Sequence, residues 1–267
     1  MSTNRSCDIR RRRWAGRVSR LQAASDRAPV PRAADGSRFP DRRRSARRGN
    51  ARRCAESGRR PRRRRSGGRR RDDGILVTGL LGGTFNPPHN GHVALAQAAK
   101  ERFGFDEFVV LVAVRPGHKR VELDPETRIE LVRAAFPDDV VKRDEDERTV
   151  DTLRHRHWDD PVFVIGADEF CDFLTWKDPE GVLERARLAV ATRPGYPRDR
   201  LDSVLAQLSR PERVLFFEIE PLPISSRDVR ERVARGEEVS GFVPPAVARL
   251  ISERGLYRGY TGGEERT

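Results

Sequence analysis

Two histidines three positions apart, His89 and His92, stand where a glycine- and proline-rich run gives way to a helical pattern. The run reads Gly82-Gly83-Thr84-Phe85-Asn86-Pro87-Pro88-His89-Asn90-Gly91-His92. Gly82 and Gly83 let backbone N–H groups come close to an anion, and Asn90-Gly91 makes a tight turn into the helix. A helix N-terminus offers free N–H donors and a partial positive charge. Two imidazoles facing one point there suit the charge that builds on a phosphoryl group during in-line displacement. A histidine pair is also half of a metal site, but no third ligand is evident.

A second anion site is written into Ile224-Ser225-Ser226-Arg227-Asp228-Val229-Arg230, which follows a proline-containing loop. Ser225 reads as an N-cap with an acid three residues on, and Arg230 lies one turn into the helix. Hydroxyls, free N–H groups and that guanidinium together suit a phosphate, with Arg227 adding charge. An ordinary capped helix fits the same residues. Between the two sites, Gly166-Ala167-Asp168 follows an apolar run; Gly166 permits close backbone approach. Asp168 suits either a ribose or base hydrogen bond or a helix cap. Trp176 suits either a core position or a flat ring stacked on the indole. Lys119 in Pro116-Gly117-His118-Lys119 suits either a phosphate or a solvated loop.

The elements that must position these residues alternate. Apolar runs at Ile75–Leu81, Phe108–Val114, Val162–Ile165, Leu188–Ala191 and Val214–Ile219 read as buried strands. Helical patterns lie between and after them, at 92–103, 125–136, 149–157, 179–186, 225–235 and 244–254. Leu95, Ala99 and Phe103 share a face of the first, and Gly104 stops it. The fold class is therefore α/β: a Rossmann-like parallel sheet with helices on both faces, in which ligands bind beyond the carboxyl ends of the strands.

The run from Gly82 to His92 resembles the (H/T)xGH signature of the nucleotidyltransferase superfamily, and its GGTFNPPHxGH form resembles bacterial nicotinate-nucleotide adenylyltransferases. Asn86 stands where Asp is common in those relatives. The 224–230 segment is similar to their ISSTxxR motif, with Arg227 in place of Thr. Gly166–Asp168 with Trp176, the PGHK segment at 116–119, Thr149 before Val150-Asp151-Thr152-Leu153, Arg193-Pro194-Gly195-Tyr196 and the Gly255-Leu256-Tyr257 ending match further family segments, so the resemblance spans about residues 77–258. The Pro-Ser-Tyr that precedes the family's Thr is missing here.

The resemblance implies transfer of AMP from ATP to nicotinate mononucleotide, yielding deamido-NAD and pyrophosphate in NAD biosynthesis. It implies His89, His92 and Arg230 as catalytic residues. Gly82, Gly83, Thr84, Phe85, His92, Gly166, Asp168, Ser225, Ser226 and Arg230 would bind ATP. Lys119, Thr149, Trp176 and Arg193 would bind the mononucleotide, with Trp176 on the pyridine ring. Mg²⁺ is expected with ATP, held by phosphate oxygens and water, with no protein metal site. Sibling transferases using nicotinamide mononucleotide, pantetheine phosphate, FMN or a CTP-dependent alcohol are the alternatives; a homo-oligomer is compatible with the sequence.

Composition taken whole points elsewhere. The 267 residues carry a formal charge of +13, which suggests a nucleic-acid binder. Residues 1–73, however, hold 26 Arg, no Lys and 7 acids, so the remaining 194 residues carry −6. The Arg-rich segment has no sustained apolar period and reads as a disordered tail, leaving a catalytic domain at 74–260 and a flexible 261–267. The tail suits a nucleic-acid-binding arm or a transit peptide; an upstream gene-start artefact, with the native start near Val77, is the reading favoured by Met1 being the sole Met. No apolar run reaches the roughly 18 residues of a membrane span, and no apolar core of a secretory signal is present. Cys7, Cys54 and Cys171 fit neither a disulfide framework nor a zinc site, which points to a cytoplasmic compartment.

Overall fold

The computed structural model describes residues 77–117, 121–220 and 222–262. The Arg-rich segment, Cys7, Cys54, Lys119 and the last five residues lie outside them. Among the described residues, six parallel strands run in the order β3-β2-β1-β4-β5-β6. They are β1 (Thr78–Gly83), β2 (Glu107–Ala113), β3 (Val140–Asp144), β4 (Val162–Gly166), β5 (Arg187–Thr192) and β6 (Val214–Glu218). Five occupy the apolar runs, each shifted by no more than three residues at an end. β1 starts at Thr78 rather than Ile75 and extends through both glycines, which pair with Leu111 and Val112 of β2. Gly82 and Gly83 are thus the last strand residues, not loop. A Cβ on Gly82 would sit 2.8 Å from the Phe163 ring, so close packing by β4 also demands a glycine there.

Eight α-helices among the described residues surround the sheet: α1 (Asn90–Phe103), α2 (Pro125–Ala135), α3 (Thr149–His155), α4 (Ala167–Cys171), α5 (Pro179–Arg185), α6 (Arg198–Leu205), α7 (Ser226–Ala234) and α8 (Pro245–Arg254). The terminators act as their chemistry dictates. Gly104 ends α1 at φ 62°, and Asp124 caps α2 by accepting from Thr127 N–H at 2.9 Å, with Pro125 in the first turn.

Strand alternation divides the apolar side chains between the two faces. Leu80, Val109, Leu111, Phe163, Ile165, Leu188 and Val190 join one buried cluster with Phe170, Phe173, Val182 and Leu183. Leu81, Val110, Val112 and Val164 have the opposite parity, and α2 packs on α8 in contact with β2. Between β1 and β4 the direction of winding reverses, since β2 and β3 lie to one side and β5 and β6 to the other. The carboxyl ends of β1 and β4 therefore open the crevice in which such a sheet binds ligands.

Candidate active site

The chain leaves β1 through a loop that is almost wholly buried. Phe85 is 2% exposed at a left-handed φ of 51°, and its ring packs against Phe136 and, edge-on, against His92. Asn86, Pro87, Pro88 and His89 are buried after it. Burying so much backbone requires partners for its carbonyls. Arg128 of α2, with no exposed surface, supplies several: its Nη1 donates to Thr84 O at 2.9 Å and to Ala113 O at 2.7 Å, and its Nε to Leu123 O at 3.3 Å. One guanidinium thus ties the ends of β1 and β2 together.

His89 precedes the first residue of α1. Its backbone N–H donates to Nδ1 of His92 at 3.2 Å, and the two rings lie 3.7 Å apart between centroids. A nitrogen that accepts carries no proton, so the neutral His92 ring holds its proton on Nε2. Burial holds His89 down at about 4 from its ordinary 6.5, partly opposed by the Asp228 carboxylate. Its Nδ1 is buried with no hydrogen-bond partner among the described residues. Gly91 makes this packing possible, because a Cβ there would lie 2.9 Å from that Nδ1. The start of α1 is anchored from far along the chain: Asn90 N–H donates to Phe242 O at 2.9 Å, and its side-chain amide to Gly241 O at 3.1 Å.

The second predicted anion site meets the same loop. Ser225 caps α7, accepting from Asp228 N–H at 3.1 Å, while Asp228 accepts from Ser225 N–H and Oγ. Those bonds hold the Asp228 carboxyl below its usual range. Ser226 Oγ donates to Pro87 O at 2.8 Å. Arg230, 3% exposed, donates from Nη1 to Asn86 O at 2.8 Å and from Nη2 to the Tyr260 hydroxyl at 3.2 Å, with its guanidinium 4.7 Å from the Tyr260 ring centroid. Arg227 instead points its charge along the helix to Glu231 at 2.8 Å.

At the end of β4 the surroundings are more open. Gly166 precedes α4, and Asp168 is exposed in its first turn, accepting from the Tyr196 hydroxyl at 2.9 Å. Burial and the neighbouring Cys171 and Asp168 push the Tyr196 hydroxyl upward in pKa. Trp176 is half-buried, edge-on to Phe173 and Phe163. Thr149 opens α3. Arg193, exposed after β5, lies 5.5 Å over the Tyr196 ring. Beside it a cavity of about 270 Å³ is lined by Thr192, Tyr196, Leu201 and Phe216, among others.

Several residues shape the site in ways that their place in the sequence does not announce. Arg128 occupies a charged position in an otherwise ordinary amphipathic helix. Tyr257 donates to Asn86 Oδ1 at 2.9 Å, buried, and Glu122 accepts from the Asn86 amide while lying 3.5 Å from Arg230 Nε. Only the contacts reveal these roles: Glu122 and Tyr257 reach Asn86 from 36 and 171 positions away, and Arg128 reaches Thr84 from 44.

The parallel sheet, the winding reversal and the paired histidines at a helix entrance define a nucleotidyltransferase of the cytidylyltransferase-like family, whose profile matches residues 80–232. Curated relatives narrow this. A protein of Thermus thermophilus named a probable nicotinate-nucleotide adenylyltransferase is 38% identical over 192 residues, covering 67% of this chain and 98% of its own. One of Bordetella avium with the same name is 36% identical over 193 residues, covering 67% and 97%. The chain belongs to the nicotinate-nucleotide adenylyltransferase family. The fold agrees with that of a Plasmodium falciparum nicotinic acid mononucleotide adenylyltransferase complexed with NaAD (TM-score 0.57, 18% identity, 68% of this chain and 98% of that one). Among the described residues no helix is long and apolar enough to cross a membrane.

Proposed function

We propose that the chain transfers the adenylyl group of ATP to nicotinate mononucleotide, forming deamido-NAD and pyrophosphate for NAD biosynthesis in the cytoplasm. One observation carries the residue assignment: two anion sites, 144 positions apart between Asn86 and Arg230, share a single buried loop. A triphosphate spanning them would lie across the N-termini of α1 and α7.

A phosphate oxygen of the mononucleotide forms a bond to the α-phosphorus of ATP. The bond from that phosphorus to the bridging oxygen breaks, and pyrophosphate leaves with the electron pair. The attacking group is already an anion at neutral pH, so no general base is required. Catalysis then reduces to positioning and to stabilising charge on the phosphoryl oxygens. His92, with its proton on Nε2, donates a hydrogen bond to that charge, and neutral His89 packs against it and fixes its ring. Arg230 and the Ser225–Ser226 turn receive the outgoing phosphates, with Gly82, Gly83, Thr84, Phe85, Gly166 and Asp168 around the rest of ATP. Lys119, Thr149, Trp176 and Arg193 take the mononucleotide.

ATP enters with Mg²⁺ on its phosphates. The donor set at the loop is two imidazoles tilted against each other and a guanidinium, and no three His, Cys, Asp or Glu side chains converge among the described residues. Those residues fit a cation that travels with the triphosphate, where it lowers the charge on the phosphates.

Steady-state turnover with a panel of acceptors tests the reading. ATP with nicotinate mononucleotide should give the highest kcat/KM, ahead of nicotinamide mononucleotide and of CTP. Turnover confined to pantetheine phosphate or to CTP would overturn it.

A further inference from the structure

We propose that Glu122 is a positioning residue for Arg230, and that the Asn86 amide holds the Glu122 carboxylate in place for that task. The proposal rests on the adenylyl-transfer reading above.

Glu122 Oε2 faces two groups at once: the Asn86 side-chain amide, which donates to it, and Arg230 Nε at 3.5 Å. Arg230 and Asn86 are 3% and 4% exposed. A guanidinium that deep needs an opposing charge nearby. Asn86 itself cannot provide one, yet both ends of its side-chain amide are committed. Oδ1 accepts from the Tyr257 hydroxyl, Nδ2 donates to Glu122, and the backbone carbonyl accepts from Arg230 Nη1. The amide therefore faces its nitrogen to Glu122 and its oxygen to Tyr257. An aspartate in this position would set one carboxylate against another here. Asn86 and Glu122 are thus one arrangement, a neutral amide donating to the carboxylate that faces Arg230.

The placement also has a direction. Glu122 stands three residues after Lys119, in the connection from β2 to α2, while Arg230 belongs to α7. The carboxylate fixes the guanidinium before ATP arrives, through a segment assigned to the other substrate. Side chains oriented in advance lose less freedom when the ligand binds. The loss of Glu122 should therefore be read in ATP binding.

Four full-length chains test this by steady-state kinetics: wild type, Glu122→Gln, Asn86→Asp and the double variant. The amide introduced by Glu122→Gln can still accept from Asn86, so that variant removes charge alone. Its KM for ATP should rise about tenfold, as expected for loss of one charged partner, with kcat and the mononucleotide KM changing far less. Asn86→Asp should lose at least as much kcat/KM for ATP. In the double variant the two groups exchange roles, the new amide donating to the new carboxylate, and kcat/KM for ATP should recover about fivefold over either single change. An unchanged KM for ATP in Glu122→Gln, or additive losses in the double variant, would overturn the proposal. If Asn86→Asp fails to fold, Glu122→Gln alone still decides. A wild-type chain inactive on ATP and nicotinate mononucleotide sinks the functional reading instead. Calorimetric titration of the four chains with a non-hydrolysable ATP analogue then still tests the pairing.

Discussion

The two halves of the crevice are built differently. On the β1 side, Asn86, His89 and Arg230 are each at most 9% exposed, and the loop is tied to α2 through Thr84, to α7 through Pro87 and to the segment after α8 through Asn86. On the β4 side, Asp168 and Arg193 are exposed and Trp176 is half-buried, with Tyr196 and aromatic edges as their neighbours. The first arrangement suits charge that appears for an instant and must find its donors already aimed. The second suits flat, largely apolar rings, for which contact area counts more than direction. Rigidity is concentrated where the phosphates are expected, and open surface where the bases are.

The sharpest way to break this contrast is to remove a donor from the buried side. His92→Ala should lower kcat by about a thousandfold while the circular dichroism spectrum and melting curve stay close to wild type. Near-wild-type turnover would deprive the histidine pair of its role. Next comes the cost of burying an imidazole. Between pH 6.5 and 4 the unfolded chain takes up a proton at His89 that the folded chain refuses. Stability therefore rises with pH across that window and levels off above it, by up to about 3 kcal/mol. Denaturant titrations at pH 4.5 and 7 should show this difference shrinking in His89→Asn. An equal slope in both chains would place the acid sensitivity elsewhere.

The open side should respond more mildly and in a different constant. Trp176→Ala is expected to raise the mononucleotide KM about tenfold, the worth of one ring stack, with a smaller change in kcat. A collapse of kcat with KM intact would erase the distinction between the two sides. Smallest is Ser225→Ala, which removes an N-cap and should cost about 1 kcal/mol of stability, measured by denaturant unfolding.

Much of this architecture could be read from residue order. Five strands announce themselves as apolar runs, since a parallel strand covered on both faces has little reason to carry polar residues. β3 escapes that rule. Its sequence, Val-Val-Lys-Arg-Asp, lies at the sheet edge with no residue fully buried, so no apolar run marks it. α6 escapes for a related reason: only Leu201 and Val204 of Arg198–Leu205 are buried, and charges fill most of the remainder. At the site, the histidines, Ser225 and Arg230 stand out because turns and caps are local chemistry. Arg128 and Glu122 do not, and the Gly255-Leu256-Tyr257 ending gives no hint of Asn86, because each acts on a residue that only the folded chain brings near. An arginine in the middle of Thr-Arg-Ile looks solvated until its carbonyl partners are known.

Tyr257 gives the order of synthesis a meaning. A growing chain carries Asn86 for 171 further residues before its buried tyrosine partner exists. Every described strand is complete by Glu218, so the sheet can close well ahead of its reactive corner. A chain that ends within α8 lacks both the hydroxyl that fixes Asn86 and part of the helix that packs on α2. The loop that carries Asn86 is thus among the last parts of the described chain to gain its partners.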